Sequence, residues 1–124
     1  MDALMGYFLI LLTVLLTVYG QIVIKWQVNL AGALPAQFSE RTLFLLKLIV
    51  NPWILSALAA AFLASIAWMA AMTRFELSKA YPFMALNFVL VGILAVHLFG
   101  ETVNPAKIVG LVLVIAGLIV SSQG

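Results

Sequence analysis

The sequence predicts an all-α membrane protein of four transmembrane helices, and three observations carry that prediction. Of its 124 residues, 66% are hydrophobic and 8% charged, with a mean hydropathy of +1.25. A soluble domain of this size has no interior large enough for so much apolar surface, so lipid must be the solvent. The apolar residues also gather into four stretches of about 20 residues, the length of helix that crosses a bilayer. Most of the charged residues lie between those stretches, where a spanning chain turns. The expected spans cover about 3–28, 50–72, 80–99 and 105–122, and together they form one domain over residues 1–124.

The first span is expected to be permanent. Asp2 stands where a cleavable signal would carry positive charge, and the apolar run continues without a small-residue cleavage site. Its far end turns polar at Tyr19-Gly20-Gln21, followed by Lys25 and Gln27. Gln21 and Lys25 are four residues apart and share a helix face. A lysine at the bilayer centre costs about 2.5–3.5 kcal/mol on insertion scales, and less where it reaches the interface. Lys25 is therefore either an interfacial anchor beside Trp26 or part of a face that lines a hydrated cavity.

Residues 29–47 read as a linker, because Gly32 and Pro35 interrupt helix continuation. Ser39-Glu40-Arg41-Thr42 suits the start of a short helix capped by Ser39. Phe44, Leu45, Leu48 and Ile49 then fall on one side, with Arg41 and Lys47 elsewhere. That pattern fits an interfacial helix between spans one and two, or an early start to span two.

Asn51-Pro52-Trp53 opens the second span, with proline in the first turn and tryptophan at headgroup level. Ala57, Ala60, Ala61, Ala64, Ala67 and Ala71 give the small-residue spacing that lets helix backbones approach closely in lipid. A brief turn carrying Arg74 and Glu76 leads to the third span, expected from about Ala80 with Pro82 in its first turn. Asn87 and His97 are the polar members of that span. The hinge Gly100-Glu101-Thr102-Val103-Asn104-Pro105 leads into a fourth span whose Gly110 and Gly117 share one face and favour a close helix contact. Four spans return both termini to one side.

Several function classes are excluded at this level. The chain has no cysteine, hence no disulfide, thiolate metal site or cysteine nucleophile. A net charge of +2, spread over few groups, makes no basic patch for nucleic acid. With one histidine, no metal-ligand cluster, no phosphate-binding glycine loop and no nucleophile–base pair, neither an enzyme nor a cofactor site is expected. Four short helices cannot alone enclose a sizeable substrate path, so a dimer or larger assembly is expected. Lys25 and Lys79 lie near opposite membrane faces, and in an inverted dimer Lys25 of one copy would approach Lys79 of the other. Lys79 also precedes a helix N-terminus, a setting that favours an anion such as a lipid phosphate; ordinary snorkelling is the competing account.

Ala80-Tyr81-Pro82, Leu86-Asn87-Phe88-Val89, Ala95-Val96, Leu98, Glu101, Pro105, Gly110, Ile115 and Gly117 resemble the C-terminal half of small four-helix members of the drug/metabolite transporter superfamily. The likeness is greatest to the undecaprenyl-phosphate aminoarabinose flippase subunits, and Gly20-Gln21 followed by Lys25 matches the same family. The resemblance covers the first span and the last two, about half the residues, and implies a small-multidrug-resistance-like bundle in the bacterial inner membrane. It further implies a homodimer, or a heterodimer with a similar subunit, that moves a polyprenyl-phosphate-linked aminosugar used in lipid A modification. On that reading Lys25 and Lys79, with Arg74, hold the phosphate, while Gln21, Tyr81 and Asn87 supply polar contacts. Glu101 either counters a basic group or fixes the hinge. The related multidrug exporters carry a glutamate in the first span, where this chain has Thr17. A cation/proton exporter and a non-transporting subunit of a membrane complex are the competing readings.

Overall fold

The computed structural model describes residues 2–123. α1 (Asp2–Ala31) runs for 30 residues, roughly 45 Å at helical rise, against a hydrocarbon core of about 30 Å. It outlasts the expected span because no breaker intervenes before Gly32. Its polar end thus has length to emerge into the headgroups.

α2 (Phe38–Ile49) is a separate helix with no buried residue. It begins one residue before the expected Ser39 cap: Gln37 occupies the cap position and its side chain makes no capping bond. Arg41 organises the entry instead, its guanidinium donating to the carbonyls of Pro35 (3.2 Å) and Ala36 (3.1 Å). Asn51 stops α2 from running on into the next span. Its extended backbone breaks the helix, and its Oδ1 accepts from the Trp53 N–H (2.8 Å) to cap α3 (Pro52–Met72).

α1 and α3 form the principal pair. Ala57, Ala60, Ala64, Ala67 and Ala71 recur at alternating spacings of three and four and are all buried, facing Ile10, Val14, Val18 and Val23 of α1. Ala61, by contrast, is exposed, beside the seam rather than in it. Contact is closest at Gly20, where a Cβ would lie 3.2 Å from the Ala57 carbonyl oxygen. Rings fasten both ends. Trp26 meets Trp53 edge-on (5.1 Å between centroids) at one end, while Tyr7 meets Phe75 (5.0 Å) and Phe83 (5.8 Å) at the other.

The third span differs from expectation in its start. Its helical path begins at Leu77, as α4 (Leu77–Ala80), passes through a 3₁₀ turn at Tyr81–Met84 and continues as α5 (Ala85–Phe99). Pro82 is therefore past the first turn, where its missing N–H and its ring oppose regular α-helix, and the chain tightens to 3₁₀ there. Gly100 ends α5 with a left-handed φ of 63°, and the Glu101 N–H reaches back to the Ala95 carbonyl (3.4 Å). Asn104 caps α6 (Pro105–Ser122) by accepting from the Lys107 N–H (2.8 Å), and Lys107 Nζ donates to the Thr102 carbonyl (2.7 Å).

Four helical stretches are long and apolar enough to cross a membrane: Leu4–Ala31, Pro52–Met72, Leu77–Phe99 and Pro105–Ser122. A third of the most apolar stretch of each of the first two is buried, against 6% for the third and none for the fourth. The outer face of α5–α6 is left to lipid or to another chain.

Candidate functional site: a lateral groove beside α1

A groove of about 480 Å³ lies along the α1–α3 seam and is closed on its third side by the 3₁₀ turn, within the range of about 300–1,000 Å³ typical of small-molecule sites. Thr13, Thr17, Gly20 and Gln21 line it from α1, Ala61, Ser65, Trp68 and Met69 from α3, and Tyr81 and Met84 from the turn. Met69 and Tyr81 are each more than half exposed, so the groove opens sideways. Trp68 and Tyr81 face each other edge-on across it, their centroids 6.1 Å apart. The 3₁₀ interruption matters here, because it sets where Tyr81 and Met84 stand.

Among the described residues, none that lines the groove is charged. Its threonine and serine hydroxyls are already engaged with backbone carbonyls. Thr13 Oγ1 donates to the Leu9 carbonyl (2.8 Å) and lies 3.5 Å from that of Ala64 across the seam, Thr17 Oγ1 donates to that of Thr13 (2.7 Å) and Ser65 Oγ to that of Ala61 (3.1 Å). Such back-bonding satisfies the hydroxyl hydrogen and leaves oxygen lone pairs as the remaining polar feature. Among the described residues, no group of three or more His, Cys, Asp or Glu is placed to hold a metal ion.

Of the residues expected from sequence, the structure brings Gln21 and Tyr81 into one groove. Lys25 is exposed, one turn beyond Gln21 on α1. Lys79 is exposed in the last turn of α4, toward the other end of the bundle. Its neighbour Ala80 packs in one cluster with Ile10. Lys25 is thus displaced from Lys79 by roughly 20 Å along α1, taking about 1.5 Å per residue from Ile10. Within one chain the two lysines do not meet. Arg74 is exposed in the turn after α3, and Glu101 is exposed in the hinge at the Lys25 end. Asn87 lies on α5 outside the groove lining, with its Oδ1 enclosed and without a hydrogen-bond partner among the described residues.

Thr13, Ser65, Trp68 and Met69 are groove residues that sequence reasoning missed. One signal was available for the first of them. Thr13, Thr17, Gln21 and Lys25 recur every four residues, a polar row along an otherwise apolar helix. Only its last two members attract notice, because threonine is common in membrane helices.

No family model matches the chain, and no solved structure matches it. Its sequence is similar to several relatives named "Probable 4-amino-4-deoxy-L-arabinose-phosphoundecaprenol flippase subunit ArnE". That of Pseudomonas aeruginosa strain UCBPP-PA14 is 34% identical over 116 residues, covering 90% of this chain and 91% of the relative. The chain belongs to the ArnE flippase-subunit family. The Proteus mirabilis member is 28% identical over 124 residues, covering 96% of this chain and 98% of its own. The Pectobacterium atrosepticum member is 30% identical over 114 residues, covering 92% and 95%. The similarity therefore runs through all four spans, including the alanine-rich second one, and not only through the half that carries the recognisable motifs. Family membership and four spanning helices make this a multi-pass membrane protein of the flippase-subunit type.

Proposed function

We propose that the chain is a subunit of a flippase that carries an undecaprenyl-phosphate-linked aminosugar across the bacterial inner membrane, with no covalent step. The observation that supports this most is the polar row on α1. Thr13, Thr17 and Gln21 line a groove open to the side, and Lys25 continues the row one turn further. A polyprenyl tail can remain in lipid while a polar head travels along such a row. The head needs that help, because a hydroxyl moved into hydrocarbon without a hydrogen-bond partner costs several kcal/mol.

In this reading Lys25 and Lys79 hold the phosphate at the two ends of the path, with Arg74 near the second. Gln21 and Tyr81 contact the head on its way, while the enclosed Asn87 Oδ1 stays within the bundle, outside the groove lining. Glu101 belongs to the hinge, whose geometry rests on Gly100, Asn104 and Lys107. The outward faces of α5 and α6 are then the contact with a second copy or a similar small subunit. A cation/proton exporter is disfavoured, because the groove has Thr17 where that chemistry needs a carboxylate, and no described residue of its lining is acidic.

The test is transport of the aminosugar-linked lipid into reconstituted vesicles. Lys25→Ala and Lys79→Ala should each reduce the rate by at least ten-fold. Undiminished transport by both variants overturns the assignment.

A further inference from the structure

We propose that the groove is a subsite that reads the hydroxyls and amine of the sugar and leaves the phosphate to charged groups outside it. This rests on the flippase reading and deepens it. Two hydroxyl-bearing residues, Thr17 and Ser65, line the groove from two helices with part of their surface open, whereas Thr13 is only 3% exposed and its hydroxyl sits in the α1–α3 seam, 3.5 Å from the Ala64 carbonyl. Thr17 and Ser65 each already donate their hydrogen to a carbonyl in their own helix, at 2.7 and 3.1 Å. In hydrocarbon that backbone bond is retained, since no water competes for it. What the groove then receives from these residues is lone pairs. A phosphate oxygen, itself only an acceptor, gains nothing from these oxygens and finds no lysine or arginine in the described lining. A sugar hydroxyl or amine, in contrast, donates to these oxygens. Gln21 adds one acceptor and two donors, and the Trp68 indole and Tyr81 hydroxyl add further donors for the sugar's own oxygens.

The rings fit the same occupant. Trp68 and Tyr81 stand edge-on across the groove, offering apolar ring surface for the C–H groups of a pyranose. The phosphate is left to Lys25 or Lys79, both outside the lining. The two polarities of the head are thereby separated in space: donors are read inside the groove and negative charge at its ends. The groove's neutrality also distinguishes this subsite from a cation site, because an amine is held by lone pairs and not by a counter-ion.

The experiment measures binding of three synthetic lipids to the full-length chain in nanodiscs. One is bare polyprenyl phosphate, one carries 4-amino-4-deoxy-L-arabinose, and one carries arabinose with a hydroxyl in place of the amine. Thr17→Val and Ser65→Ala each remove one acceptor with little change in volume. Each is expected to weaken both sugar-bearing lipids by about five-fold, the scale of one hydrogen bond, and to leave bare polyprenyl phosphate unchanged. Thr17→Ser, which keeps the oxygen, should restore wild-type affinity. Equal weakening of all three lipids by both variants, or no weakening of either sugar lipid, overturns the subsite. So does wild-type protein that binds bare and sugar-bearing lipids equally. Wild-type protein that binds none of the three overturns the flippase reading itself and the subsite with it.

Discussion

Asn51 donates from its side-chain amide to Gln27 Oε1 at 3.2 Å, and its own Oδ1 simultaneously caps α3. One residue thereby closes the end of the α1–α3 pair and starts the second span. Gln27 is only 6% exposed, so removing its partner leaves a buried amide unsatisfied. Asn51→Ala is expected to lower stability by about 1–3 kcal/mol, combining a lost cap with that orphaned group. Asn51→Asp keeps the cap and loses the donor, and should fall between. Thermal unfolding in detergent measures both, and an Asn51→Ala protein as stable as wild type contradicts the double role.

Gly20→Val tests the closest approach of the two helices. A Cβ there meets the Ala57 backbone oxygen at 3.2 Å, and backbone cannot swing aside as a side chain can. Stability should fall by about 1–3 kcal/mol, the usual scale of overpacking. The groove, which Gly20 lines, should change shape. Loss of lipid binding together with a lower unfolding temperature is the expected result.

Pro82→Ala should separate stability from transport. Restoring the N–H lets the 3₁₀ turn relax towards α-helix, which does not destabilise the span and shifts Tyr81 and Met84 relative to α3. Transport is expected to drop several-fold while the unfolding temperature stays within a few degrees of wild type. Unimpaired transport would remove the 3₁₀ turn from the mechanism.

Asn87→Leu addresses the enclosed Oδ1. An unsatisfied buried carbonyl costs about 1–3 kcal/mol, so leucine should stabilise the chain studied alone. A variant less stable than wild type as an isolated chain counts against this account.

Gly110→Leu and Gly117→Leu should leave the isolated chain intact, because a Cβ at either position meets nothing within 4 Å. Their expected effect is on assembly, read as a shift from dimer to monomer in cross-linking or light scattering. Dimer formation unchanged in both variants would place the subunit contact elsewhere.

Much of this arrangement is legible in local sequence. Asn51-Pro52-Trp53 and Asn104-Pro105 mark two span starts, since a capping amide followed by proline is decided within one turn. The buried alanines follow from spacing alone. Pro82 points to a start of the third span near Ala80, because proline is at ease in a first turn. Only the packing of Ala80 with Ile10 and Ala71 shows why the helical path begins earlier. The groove was half legible. Gln21 stands out as an amide in an apolar helix, and Tyr81 was carried by resemblance. Ser65, Trp68 and Met69 come from α3, and nothing local says which of its faces turns toward α1's polar row.

The rings at the two ends of α1 have a mechanical consequence. Tyr7 ties one end to Phe75 and Phe83, and Trp26 ties the other to Trp53. α3 and α5 both pack on α1, while Trp68 and Tyr81 face one another across the open side. α1 thereby carries both walls of the groove, α3 along its length and the broken third helix across its open side, so a change anywhere along α1 reaches both walls at once.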